Sequence, residues 1–146
     1  MEELLFEIFA AFAGTATFSI LFRVPGKMWA VCGIVGGAGW AIYAVAVELQ
    51  ISAAMASFLA AAVITLLARI LAVVCKVPTN VIMIPGIFPI IPGIGIYNMI
   101  YDLFVGNTVQ GLSGGFAVLK IIGAMVLGMV VVFSLPRSWF RKRRRQ

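Results

Sequence analysis

Long runs of apolar residues alternate with short polar breaks along most of this 146-residue chain. Five of the runs are long enough for membrane-spanning helices, since a helix crosses the hydrocarbon core of a bilayer with about 20 apolar residues. They cover residues 4–22, 29–47, 53–75, 81–104 and 116–135. The pattern therefore predicts an all-α integral membrane protein with about five transmembrane helices in a single transmembrane domain, residues 1–146.

The fourth run differs from the others because a segment rich in proline and glycine interrupts it. Pro85, Pro89 and Pro92 fall within eight residues. Each proline lacks an N–H donor and clashes with the carbonyl four residues earlier, so a regular helix cannot continue through them. Irregular backbone at membrane depth is tolerated only inside protein or beside a water-filled cavity. The sequence predicts a broken fourth span, and leaves open whether it crosses fully or is partly re-entrant.

The break is also the strongest candidate for a binding site. A helix that starts at Pro92 would direct its first backbone amides into the break, and glycine would let a ligand approach them closely. Secondary transporters present the amino ends of such half-helices to anionic substrates. The alternative is a kink that only packs helices together. The candidate substrate-binding residues here are Pro92, Gly93, Ile94, Gly95, Tyr97 and Asn98.

A second candidate is Arg69, which lies inside the third apolar run. It is about 9 Å from the cytoplasmic end of that run at the helical rise of 1.5 Å per residue. Because a charge inside the membrane is energetically costly, a charged residue there is by default a candidate functional residue. A guanidinium can also bind a carboxylate through two parallel hydrogen bonds. The alternative is that the side chain extends to the inner headgroups. Glu7, Asp102 and Lys120 are closer to the outer boundary and are interpreted as interfacial.

Composition agrees with the apolar pattern and narrows the function. The chain is 63% hydrophobic and 11% charged, with a mean hydropathy of +1.13. These values exclude an ordinary soluble domain, a disordered chain and a disulfide scaffold. The sequence contains no histidine, no paired intramembrane carboxylates and no phosphate-binding loop. We therefore expect no enzyme activity, no cofactor and no metal site.

Charge is distributed unevenly and predicts the orientation. The net charge is +6, and six of the 11 basic residues fall in the last ten positions. Basic loops stay in the cytoplasm, so five spans place the N-terminus outside and the C-terminus inside. A four-span arrangement would expose Arg23 and Lys27 on the outer side and is disfavoured. The basic tail, residues 136–146, is interpreted as an anchor on anionic membrane lipid, and we expect no binding to nucleic acid.

Small residues recur four positions apart on several spans, as at Gly33 and Gly37, or Ala124 and Gly128. Such faces allow close helix contact within lipid. They are more extensive than five helices readily satisfy among themselves, which favours a further membrane partner.

Particular segments resemble the threonine/serine exporter family. They are the residues 22–26 (FRVPG), Arg69, the residues 76–78 (KVP) and the proline–glycine run at 84–97. More narrowly, the chain resembles the small subunit that corresponds to the C-terminal membrane half of fused exporters.

The resemblance implies a secondary exporter of small carboxylate-bearing solutes in the cell inner membrane, either threonine and serine or dicarboxylates such as succinate. It also implies a larger companion subunit that carries the other membrane half. The alternative function is a non-transporting scaffold or assembly subunit. A homo-oligomer formed without the companion is an alternative assembly.

Overall fold

The computed structural model describes residues 2–136, so the basic tail after Pro136 lies outside the described residues. Within this part of the chain all regular structure is helical, which confirms the all-α fold. Two short 3₁₀ turns, Gly26–Met28 and Phe88–Ile90, precede α2 and follow α4. The helices are α1 (Glu2–Leu21), α2 (Trp29–Glu48), α3 (Ala53–Cys75), α4 (Thr79–Ile87), α5 (Gly93–Phe104) and α6 (Thr108–Ser134).

Among the described residues, α1, α2, α3 and α6 are each long and apolar enough to cross a membrane. The α4–α5 pair, fourth in chain order, is a further candidate span that is broken at residues 91–92 and bent by 55°. A bend of 55° still carries the second half forward, so the pair advances roughly 28 Å along the axis of α4. The hydrocarbon core is about 30 Å thick. The pair therefore has nearly the length that one broken span needs, which brings the candidate spans among the described residues from four to five.

The centre of the bundle is formed by α2 and α3, which pack side by side. On the outside, α1 packs against α2, and α6 packs against α3. The two halves of the broken span have different neighbours: α4 packs against both central helices, whereas α5 packs along α6. The bend thus takes α5 away from the centre and leaves a space between α2, α3, α5 and α6.

Glycines hold the helices close at the contacts with the least room. A Cβ at Gly36 would lie 2.1 Å from the hydroxyl oxygen of Thr15, and one at Gly128 would lie 2.4 Å from the backbone oxygen of Phe58. Neither distance is compatible with a side chain unless the helices separate. The small-residue faces of α2 and α6 therefore serve as packing surfaces, as their spacing predicts.

Three helices end in the same way, with a non-glycine residue in the left-handed conformation. The left-handed residues are Arg23 and Gln50, each two positions beyond the end of α1 or α2, and Lys76, directly after α3, with φ angles of 55°, 62° and 55°. In each case the next backbone amide donates to the carbonyl five residues earlier, at 3.0 to 3.1 Å. This is the hydrogen bond of the Schellman motif, which satisfies a carbonyl at the helix end.

The last helix begins earlier than the apolar run predicts. The fifth apolar run begins at residue 116, but α6 already starts at Thr108. Gly106 lies in the turn before α6, with a φ angle of 89°, whereas Gly111, Gly114 and Gly115 are helical and face α5. A Cβ at Gly111 would lie 2.7 Å from the side chain of Leu103 in α5. Glycine here allows close packing rather than a turn.

Candidate substrate cavity

A cavity of about 600 Å³ lies where α5 diverges from the centre of the bundle. Its volume is in the range of small-molecule sites. One wall is the broken segment 89–95 together with α5, and the others come from α2, α3 and α6. The side chains that line it with polar atoms are Trp40, Tyr43, Ser57, Asn98 and Asp102.

The break places the start of α5 at the cavity wall. Pro92 caps the helix, and the amide of Ile96 donates to its carbonyl at 3.0 Å, which closes the first turn. The first amides of a helix have no carbonyl partner within that helix, and they carry its partial positive charge. No atom lies within 4 Å of a Cβ built at Gly93. A ligand in the cavity can therefore approach the backbone there.

The structure brings most of the predicted residues together and leaves two apart. Tyr97 is on α5, but its ring is 66% exposed and stacks on Tyr101, with the ring centroids 6.2 Å apart. It is not among the residues that line the cavity. The predicted residues that do line it are Pro92, Gly93, Ile94, Gly95 and Asn98.

Arg69 lies towards the other end of the bundle, roughly 18 Å along α3 from the cavity residue Ser57. Its side chain is buried, and its guanidinium donates to the carbonyls of Val132 and Leu135 at the end of α6. The distance to the Leu135 oxygen is 3.0 Å. The structure thus gives Arg69 a role that the sequence did not suggest, as a donor to the last carbonyls of α6. Its role in substrate binding stays a prediction.

Ser57 is a cavity residue that the sequence did not single out. It is fully buried, and within residues 2–136 its hydroxyl oxygen has no hydrogen-bond partner. Two other buried helical hydroxyls, those of Ser19 and Thr65, donate to the carbonyl four residues earlier, that of Thr65 to Ala61 at 2.7 Å. A signal was present, because Ser57, Thr65 and Arg69 fall on one stripe of α3 at multiples of four residues. They are the polar members of a helix face made otherwise of small apolar residues.

An aromatic wall and one carboxylate complete the cavity. The rings of Trp40 and Tyr43, both on α2, lie 5.4 Å apart. The indole N–H of Trp40 donates to the carboxylate of Glu7 on α1 at 3.1 Å. Asp102 lines the cavity from α5 and is half-buried. The sequence analysis interpreted Glu7 and Asp102 as interfacial residues. Their positions along the spans could not show that Glu7 contacts the cavity residue Trp40, or that Asp102 lines the cavity.

The arrangement can bind a small polar solute with groups of both signs. The amides at the start of α5 favour a carboxylate, whereas the aromatic rings and the carboxylate of Asp102 favour a cationic group. Within residues 2–136, no group of three or more His, Cys, Asp or Glu side chains is arranged to hold a metal ion.

Comparison with known proteins gives one match. Residues 7–135 match the family model described as "Threonine/Serine exporter, ThrE". This range contains the whole of α2 to α6 and most of α1. No curated protein and no solved structure gives a significant match to the chain.

Proposed function

This chain belongs to the threonine/serine exporter family, and from that premise we propose that the cavity at the break between α4 and α5 binds the exported solute. The family and the apolar helices make the chain a multi-pass membrane protein with an exporter-type transport role. The substrates proposed for it are small carboxylate-bearing solutes, either threonine and serine or dicarboxylates such as succinate. The protein is a transporter component rather than an enzyme.

One observation carries this proposal: the amino end of α5 opens onto the cavity at Gly93, where an added Cβ would meet no neighbouring side chain within 4 Å. The space beside Gly93 is open, and the cavity extends from the break to α2, α3 and α6. The amide of Gly93 donates to the carbonyl of Ile91 at 2.7 Å, so a carboxylate in the cavity accepts hydrogen bonds from the amides of Ile94 and Gly95, which the helix leaves without partners. The helix dipole adds a favourable interaction with the negative charge. Both effects act on any of the proposed substrates.

The remaining groups distinguish between those substrates. Asp102 lies roughly 13 Å along α5 from Gly93, so one small amino acid does not contact both at once. Its carboxylate attracts cationic groups and repels a second carboxylate. The aromatic wall of Trp40 and Tyr43 also favours an ammonium group over an anion. This balance supports zwitterionic amino acids above dicarboxylates as the preferred substrate.

A companion subunit forms part of the proposal. Transporters often place the binding site between two repeats, and an odd number of spans allows a second half to enter with the inverted topology. Large apolar side chains on α1, including Leu5, Phe6 and Phe9, are more than 60% exposed in the single chain. They are available to lipid or to another membrane subunit. We propose an inner-membrane location with the N-terminus outside, which is supported by the basic loops.

Reconstitution tests the function. The chain is purified with its companion and alone, each preparation is placed in liposomes, and efflux of threonine, serine and succinate is measured. We expect efflux from the pair and little from the lone chain. If the companion alone exports as fast as the pair, this chain is instead a non-transporting scaffold or assembly subunit.

A matched pair of glycine variants tests the cavity itself. Gly93→Val fills the space in front of the α5 amides and should abolish efflux. Gly123→Val is the control, because a Cβ there also meets no atom within 4 Å but Gly123 does not line the cavity. Wild-type efflux from Gly93→Val would exclude the break as the binding site.

A further inference from the structure

We propose that Ser57 recognises the side-chain hydroxyl of the exported amino acid, an inference that rests on the proposed function of the cavity. Ser57 reaches the cavity from α3, which is a different wall from the start of α5. A substrate whose carboxylate lies at Gly93 therefore extends its side chain across the cavity towards other walls. Among the residues that line those walls, Ser57 carries the fully buried hydroxyl.

The burial of Ser57 makes its hydroxyl unusual among the polar groups of the cavity. Asn98 lines the same cavity but is exposed, so water can satisfy its amide. Ser57 is 0% exposed, and its oxygen has no partner within residues 2–136. A buried polar group without a partner is unfavourable, and the unfavourable term is removed when a ligand supplies the missing hydrogen bond. The hydroxyl of threonine or serine can both donate and accept, and so can Ser57.

A second buried hydroxyl shows that burial alone does not make a site. Thr15 is 1% exposed, and its oxygen also has no partner in the described part of the chain. It packs in the contact between α1 and α2, where a Cβ at Gly36 would lie 2.1 Å from that oxygen. It does not line the cavity. Thr15 therefore provides a matched control for Ser57.

The experiment compares threonine with 2-aminobutyrate, which has the same carbon skeleton without the hydroxyl. The two efflux rates are measured for the chain reconstituted with its companion, and the ratio of kcat/KM values is the readout. We expect the wild type to prefer threonine, and Ser57→Ala to reduce that preference by roughly 5- to 10-fold, the effect of one neutral hydrogen bond. Thr15→Val should leave the ratio unchanged, and Ser57→Thr, which keeps a hydroxyl, should retain the preference for threonine.

The outcomes separate this inference from the proposed function. If the wild type exports threonine and 2-aminobutyrate with equal kcat/KM, the hydroxyl site is excluded even where Ser57→Ala fails to assemble. An unchanged ratio in a well-assembled Ser57→Ala variant also excludes it, and in both cases the cavity remains the exporter site. If the wild-type pair moves neither amino acid nor succinate, the proposed function itself is wrong.

Discussion

Glu7 on α1 accepts a hydrogen bond from the indole N–H of Trp40 on α2, at 3.1 Å. Trp40 lines the cavity, whereas Glu7 does not. The carboxylate of a helix outside the cavity therefore fixes the orientation of a ring in the cavity wall. The same ring lies 5.4 Å from Tyr43, so the contact with α1 extends to the second aromatic residue of the wall.

We expect Glu7→Ala to slow efflux about two- to fivefold, because the indole loses the acceptor that orients it. Glu7→Gln keeps a side-chain oxygen as acceptor and should export at close to the wild-type rate. Efflux from liposomes measures both, with Glu3→Ala as a control for loss of an exposed acidic residue on the same helix. Equal rates for Glu7→Ala and Glu7→Gln would show that the indole contact has no effect on transport.

The contact between α3 and α6 should be sensitive to substitution of Gly128 and insensitive to substitution of Gly123, which is also on α6. Gly128→Ala places a methyl group 2.4 Å from the backbone oxygen of Phe58, so the helices must separate. Gly123→Ala meets no atom within 4 Å, and alanine is about 1 kcal/mol better than glycine inside a helix. We expect the apparent Tm in detergent to fall by several degrees for Gly128→Ala and to stay level or rise for Gly123→Ala. A similar change in both variants would contradict the close contact.

Arg69 should stabilise the end of α6. Two of its guanidinium nitrogens, Nη1 and Nη2, donate to two carbonyls, whereas the ammonium of a lysine is a single point charge. Arg69→Lys should lower the free energy of unfolding by about 1–3 kcal/mol, the cost of leaving a buried acceptor without its donor. Thermal unfolding and the KM for threonine are measured together. A raised KM with unchanged stability would support a direct contact with substrate instead.

The left-handed end of α3 makes Lys76 a site for stabilisation. A non-glycine residue in this conformation is disfavoured by roughly 1–2 kcal/mol, so Lys76→Gly should raise the apparent Tm. Lys76→Val should lower it, because a β-branched side chain fits this conformation poorly. Lys27→Gly removes the same charge at a position without a positive φ, and should not stabilise the protein. If Lys76→Gly and Lys27→Gly both stabilise the protein, the cause is the loss of a positive charge and not the backbone conformation.

Cysteine labelling tests the orientation of the spans. Asn107 is exposed between α5 and α6 and is therefore a suitable site. In a background with Cys32→Ala and Cys75→Ala, Asn107→Cys should react with an impermeant maleimide added to intact cells. Lys27→Cys, on the opposite side of the membrane, should react only after the cells are opened. The reverse pattern would invert the topology.

The spans and the break could be predicted because each depends on local properties of the chain. The length of an apolar run sets a span, and Pro89 and Pro92 lie where the helix is broken. The expectation was wrong for Pro85, because α4 continues through it to Ile87. The start of α5 at Gly93 follows from the proline before it. These features need no knowledge of which helices are neighbours.

The cavity depends on contacts between distant residues, so the sequence could not give it. The partners of Arg69 are 63 and 66 residues further along the chain, and Glu7 and Trp40 are 33 residues apart. The early start of α6 was missed for the same reason, since Gly111 is explained only by the nearness of Leu103. In the sequence, Ser57 is one of several small residues on a packing face of α3. Only the bend that takes α5 away from the bundle centre shows that Ser57 borders a cavity.

The length of α6 links the exporter to the thickness of its membrane. A helix of 27 residues is roughly 40 Å long, whereas the hydrocarbon core measures about 30 Å. This helix must tilt or extend beyond the hydrocarbon, and its hydrophobic mismatch changes with the acyl chains around it. Because α5 packs along α6 and forms a cavity wall, we expect a change of tilt to alter the shape of the cavity. We therefore expect the acyl-chain length of the surrounding lipid to change the rate of export.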